Sequence, residues 1–257
     1  MSPVITSAST LLPVNTTLGA VLFVLLAAAA GVAAVAGLGH ARAIVLAGVR
    51  AAVQLAAVAL VIRWALESLP LLFVFLLVMF AVAVRTAGRR ITSDRSWRWV
   101  AVPIAMGVAP VVLALVTCGL VPLRGIALIP VSGILIGGAL TATVLAGRRA
   151  LEELETRHGE VEAAMSIGLL DRQARLEIAR TAAAGALIPA LDQTRTVGLV
   201  TLPGAFVGML LGGASPLMAG AVQLFVLVAL LEVEAVAVAL VLELVARGRV
   251  TRPPRHA

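Results

Sequence analysis

Charged and amide side chains stand inside segments of this chain that are otherwise apolar, where they are costly enough to need a reason. Arg50 and Gln54 are four residues apart, so on a helix they share a face. Asp192 and Arg195 are three apart and can pair along one helix. Glu232 and Glu234 are two apart, about 200° around a helix, so they cannot both line one narrow path. A charge at mid-bilayer costs about 2.5–3.5 kcal/mol on the insertion scale, which makes these residues candidates for a translocation path or a gate. Arg50 is equally suited to a structural tie, to backbone carbonyls or to an acidic residue on another helix such as Glu232 or Glu234. Asp192 and Arg195 suit either a lever at the inner membrane edge or an ion pair that satisfies itself. Metal and covalent chemistry are poorly served. His40, His158 and His256 are scattered and none accompanies Cys118, so no metal site is expected. Met79, Met106, Met165, Met209 and Met218 read as packing residues. No nucleophile stands beside a His and no catalytic carboxylate pair is evident, so no enzyme activity, catalytic residue or bound cofactor is expected of the chain.

The elements that must position these residues follow from composition. The chain has 257 residues, of which 61% are apolar and 13% charged, and its mean hydropathy is +1.09. A soluble domain is nearer half apolar and a quarter charged, so lipid is the expected surroundings. Seven apolar runs approach the ~20 residues that a spanning helix needs: 18–38, 43–62, 69–85, 99–118, 125–146, 196–214 and 219–245. They are rich in Ala and Leu and lack the alternation of a membrane barrel. Residues 1–17 carry no basic residue, so the first run reads as a retained span and not a cleaved signal. All 20 basic residues are Arg, which excludes a Walker A loop and its Lys. Sixteen of these arginines, between Arg42 and Arg255, fall in alternate loops and the tail, while the other loops hold only Arg63 and Arg124. By the positive-inside rule the N-terminus is outside and the C-terminus inside. Arginines spread over several loops form no single basic stripe, so no nucleic-acid partner is expected. The single cysteine excludes an internal disulfide. The expectation is an all-α, polytopic membrane protein with about seven transmembrane helices. It forms a single domain, 1–257, as a multi-pass protein of the cytoplasmic (inner) membrane.

Residues 147–183 are the one long polar stretch. Arg148 to Glu162 is helix-favouring and continues the fifth span into the cytoplasm; His158-Gly159 marks a break, and a second helix is expected from Glu160 to Ala184. It contains Glu162-Ala163-Ala164, then three residues, Gly168, nine residues and Ile178. This resembles the EAA loop of ABC-transporter membrane subunits, a helix–turn–helix that docks on the ATPase. The small alanines permit close docking and Gly168 permits the sharp turn. Where that motif ends in Leu-Pro, this chain has Arg180 and Thr181. Glu162, Ala163, Ala164, Gly168 and Ile178 are therefore the expected docking residues.

The stretch Ala186-Leu187-Ile188-Pro189-Ala190-Leu191-Asp192-Gln193-Thr194-Arg195-Thr196-Val197-Gly198-Leu199-Val200-Thr201-Leu202-Pro203-Gly204 resembles the signature of the FetB-type family. Those proteins are permeases of bacterial ABC transporters linked to iron export, and their plant relatives in aluminium tolerance are linked to UDP-glucose transport. Arg50-Ala51-Ala52-Val53-Gln54-Leu55 and Ile129-Pro130-Val131-Ser132-Gly133 fit the same family. The resemblance implies a homodimer of permeases in the lipid bilayer. It also implies a separate ABC ATP-binding subunit that carries the ATP and Mg. That family has small polar or apolar residues where Glu232 and Glu234 stand here. If iron is the cargo, its oxygen ligands would come from Glu232, Glu234 or Asp192. Another cargo, such as a nucleotide sugar, or an ATP-independent, proton-coupled carrier using Glu232 or Glu234, are the alternatives.

Overall fold

A computed structural model describes residues 15–252, and within them every regular element is helical. Arg255, His256 and residues 1–14 of the N-terminal segment lie outside the described residues. The chain forms two compact units, Met1–Trp64 and Ala65–Ala257. The first holds α1 (Thr16–Val35) and most of α2 (Ala41–Glu67). Asn15 caps α1 by accepting the Leu18 amide at 2.9 Å, satisfying one of the amides a helix start leaves free. Gly37 and Gly39, at φ +64° and +67°, make the reversal between the two helices.

The second unit carries the bundle: α3 (Leu69–Ile91), α4 (Ala101–Thr117) after a 3-10 turn at Arg95–Val100, α5 (Gly125–Thr156), α6 (His158–Ser166), α7 (Asp171–Ala184), α8 (Ile188–Thr196), α9 (Gly204–Leu211) and α10 (Pro216–Ala246). Small residues set how these helices meet. Gly133 of α5 sits against Met79 of α3, and Gly147 sits between Ile91 of α3 and Val241 of α10. Gly138 meets Leu230 and Glu234 of α10. These pairs rise together along each helix, so α3, α5 and α10 run parallel. Gly107 of α4 meets the Val233 carbonyl, and Ser96 meets Thr251, so α4 runs the other way. Ala87, Ile104, Ala139, Ala146, Val233, Ala237 and Val241 are buried at these crossings. In lipid, close van der Waals packing of small residues holds helices together, because the tails are as apolar as the side chains.

Parallel α5 and α10 oblige the chain to recross the bundle between Thr156 and Pro216. It does so in pieces. Arg172 of α7 reaches Glu243, Gly185 lies against Arg149, and Ala190 and Gln193 of α8 reach the level of Gly138 and Glu234. A non-helical stretch, 197–203, and the eight-residue α9 complete the return. The sixth predicted span, 196–214, is therefore not one helix. Six helices among the described residues are long and apolar enough to cross a membrane, and the return from α5 to α10 follows the broken α7–α9 path. Gly198 (φ +82°), Pro203 and the Gly212-Gly213 pair interrupt this run, and hydropathy does not register them. The helix expected over 160–184 is likewise divided, into α6 and α7, by a turn at Gly168.

A half-membrane cavity and a helical hairpin

A cavity of about 280 Å³ opens between α5, α8 and α10. Gly137, Gly138, Thr141 and Ala142 form its α5 wall, Ala186, Pro189, Ala190 and Gln193 its α7–α8 wall, and Leu230 and Glu234 its α10 wall. Ten residues separate Gly138 from Arg148, a rise of about 15 Å, half of a ~30 Å hydrocarbon core. Glu234 is partly buried and, among the described residues, is the one charged member of the lining. The α5 wall is thin because Gly137 and Gly138 carry no side chain there. Thr141 donates its hydroxyl to the Gly137 carbonyl at 3.0 Å, which leaves its oxygen lone pairs available. Pro189, in the first turn of α8, is placed where a missing amide costs nothing.

The expected site residues separate on this frame. Glu234 lines the cavity, while Glu232 faces out of the bundle and is exposed. Asp192 and Arg195 form the expected pair, at 3.5 Å, on the exposed side of α8. Arg50 and Gln54 lie one turn apart on α2, both exposed. Gln193, Thr141 and Gly138 were not singled out in the sequence. Gln193 sits in the 186–204 signature beside Asp192, and the Gly137-Gly138 pair was the available signal for a close approach.

The second feature lies at the arginine-rich end of the bundle. α5 runs on to Thr156, and Arg157 then holds the junction with α6, bonding Glu153 at 3.1 Å and also Glu160. These bonds raise the Arg157 pKa above its ordinary value and hold the Glu160 carboxyl below its own. Glu162, Ala163 and Ala164 lie on α6, Gly168 makes the turn at φ +102°, and Ile178 is partly buried on α7. The turn exposes Ile167 (81%) and Leu170 (69%), large apolar side chains beside charged ones. The Gln173 amide oxygen accepts the Leu170 N–H at 3.2 Å and fixes the start of α7. Trp97 and Trp99 mark the same end, under Arg89 and Arg249 at 5.7 and 5.0 Å. Among the described residues no three His, Cys, Asp or Glu side chains converge on a point.

Comparison with known proteins adds the family. The profile described as uncharacterised protein family UPF0014 matches residues 16–249. The chain is 34% identical to the UPF0014 membrane protein STAR2 of Oryza sativa subsp. japonica, over 69% of this chain and 64% of that one. It is 36% identical to the protein ALUMINUM SENSITIVE 3 of Arabidopsis thaliana, over 59% of this chain and 56% of that one. The chain thus spans under two thirds of the length of these two plant relatives. It is 28% identical to the probable iron export permease protein FetB of Escherichia coli (strain K12), over 69% of this chain and 70% of that one. No solved structure matches the chain. The chain belongs to the UPF0014 family of multi-pass membrane proteins.

Proposed function

We propose that the whole chain is one permease domain of an ABC transporter in the cytoplasmic membrane, working as a homodimer with a separate ATP-binding subunit. The observation that carries this is the α6–α7 hairpin. Its Gly168 turn presents Ile167 and Leu170 at the arginine-rich end, where apolar side chains outside the spans call for a protein surface to cover them. The positive-inside rule makes that end cytoplasmic, which puts the N-terminus of the permease outside and its C-terminus inside. The partner hydrolyses ATP with its Mg, and the hairpin passes the motion to α8 through the continuous α7–α8 path. Similarity to the iron export permease supports iron as the cargo, moved outward.

Co-purification tests the docking. Ile167→Ser with Leu170→Ser removes an ATP-binding subunit from the purified complex while the permease still elutes as a single species. Retention of that subunit at wild-type level would sink the docking surface, and absence of any such subunit from the wild type would favour the ATP-independent carrier. Cell-associated iron after an iron load tests the cargo. It rises in a deletion strain and is restored by the wild-type gene but not by Gly168→Trp; unchanged iron would remove the iron assignment and leave a nucleotide sugar as the next cargo to try.

A further inference from the structure

We propose that the half-membrane cavity is a binding site for one small, oxygen-seeking cation, with the Glu234 carboxylate as its charged ligand and Gln193 and Thr141 as neutral ones, and that Gly138 is the residue that gives Glu234 its place. Sign, size and donor type each point this way. Among the described residues Glu234 is the one charged member of the lining and no arginine joins it there, so an anion would meet a carboxylate with nothing in the lining to compensate its charge. A nucleoside diphosphate would bring negative charge into that same space.

The volume, about 280 Å³, leaves room for an ion together with water that stays bound to it. The available donors are a carboxylate, an amide oxygen and a hydroxyl whose proton is already given to the Gly137 carbonyl. Those are hard donors, fitted to hard cations and not to soft ones. A single carboxylate with neutral partners holds an ion loosely enough to release it, which a transport site requires.

Gly138 supplies the second, geometric observation. A Cβ placed there would lie 2.9 Å from the Glu234 Oε1 and 2.5 Å from the Leu230 Cδ2. Both atoms are side-chain ends, so an alanine there displaces the carboxylate and leaves the α5–α10 backbones where they are. Gly138 is thus a positioning residue, and Glu232, two residues from Glu234 on the exposed side of α10, is the built-in control.

The two walls differ in attachment. Thr141 and Glu234 belong to the parallel pair α5 and α10, whereas Gln193 rides on the chain that leads through α7 to the hairpin. Displacement of α8 would therefore remove one ligand and leave the other two in place. This last point rests on the docking proposal above; the binding site itself does not.

The test is Mn²⁺ binding to the purified full chain in lipid nanodiscs, read by loss of the free Mn²⁺ resonance signal. No partner subunit and no transport are needed, so its result is independent of the ABC and cargo assignments. Wild type binds one Mn²⁺ per chain saturably. Glu234→Gln, close in shape to the native residue, weakens binding at least tenfold, and Gln193→Ala and Gly138→Ala weaken it several-fold. Glu232→Gln stays within twofold of wild type. Each variant is checked for single-species elution, and Gly138→Ala serves if Glu234→Gln does not fold. Absence of saturable binding to wild type, wild-type affinity in Glu234→Gln, or an equal loss in Glu232→Gln would each overturn the assignment.

Discussion

Arg172 of α7 grips Glu243 of α10 with two prongs, Nε to Oε1 and Nη2 to Oε2, both at 2.7 Å. The two residues are 71 positions apart in the chain, and their pairing ties the start of α7 to the helix that carries Glu234. Arg247 reaches the same carboxylate from one turn further along α10, at 2.5 Å. The bonds to Glu243 raise the Arg172 pKa above its ordinary value, so the guanidinium is charged at every working pH. We expect Arg172→Ala and Glu243→Ala each to speed hydrogen exchange of the α7 amides. The double variant should exchange no faster than Glu243→Ala alone, because both changes remove one shared contact. Additive effects would show that the pair does not hold α7.

Gly168 is held at φ +102° with nothing within 4 Å of a Cβ built on it. Space therefore permits a side chain, and backbone conformation alone resists it. Gly168→Ala should strain the turn by about 1–2 kcal/mol, as expected for a side chain at positive φ. The strain should appear as faster exchange confined to residues near the turn, with unchanged thermal stability of the bundle. A loss of bundle stability equal to that of a core substitution would contradict a purely local effect.

Gly107 and Gly147 sit at helix crossings and fail for a different reason. A Cβ at Gly107 would lie 2.9 Å from the Val233 carbonyl oxygen, and one at Gly147 would lie 3.0 and 3.3 Å from Ile91 and Val241. Backbone cannot swing aside as a side-chain end can. Gly107→Ala should therefore be the more damaging, with Gly147→Ala partly absorbed by the Ile91 rotamer. Overpacking of this kind costs about 1–3 kcal/mol. Thermal denaturation in detergent should rank Gly107→Ala below Gly147→Ala, and the reverse order would place the tightest crossing elsewhere.

Glu160 gives the α5–α6 junction a pH dependence with a definite sign. Its bonds to Arg157 hold its carboxyl below the ordinary value. A carboxylate depressed in the folded state stabilises above its unfolded pKa, about 4.3, and loses that contribution as pH falls through the folded value. Exchange at residues 157–162 should therefore be flat from neutral pH down to about 5, once the intrinsic rate is divided out, and should rise only below about 4.3. Glu160→Gln should show the raised exchange already at neutral pH. A wild-type transition well above pH 5 would show that the Arg157–Glu160 bonds do not hold the junction.

What the sequence determined by itself is what depends on composition or on near neighbours. Apolar runs about 20 residues long, where no Gly or Pro cluster breaks the backbone, specify a membrane helix, because every backbone group in lipid must bond within its own segment. Arginine placement marked one end of the bundle, and the structure gathers Arg89, Arg149, Arg172 and Arg252 there. The Asp192–Arg195 pair and the Gly168 turn were legible for the same reason: three residues of helix and one backbone angle are local matters.

The broken passage was half legible. Hydropathy counted 196–214 as a span because it sums side-chain transfer, while Gly198, Pro203 and Gly212-Gly213 act on the backbone, to which that sum is blind. Tertiary structure alone decided which glutamate faces inward. Glu232 and Glu234 are chemically identical and two residues apart, so only the packing of α10 against α5 distinguishes them. It also brought Gln193 to the cavity of Glu234 and paired Arg172 with Glu243, across 41 and 71 positions. Such pairs exist because α5 and α10 run parallel and force the chain between them back across the bundle, and that direction is a property of three helices together and of no one of them.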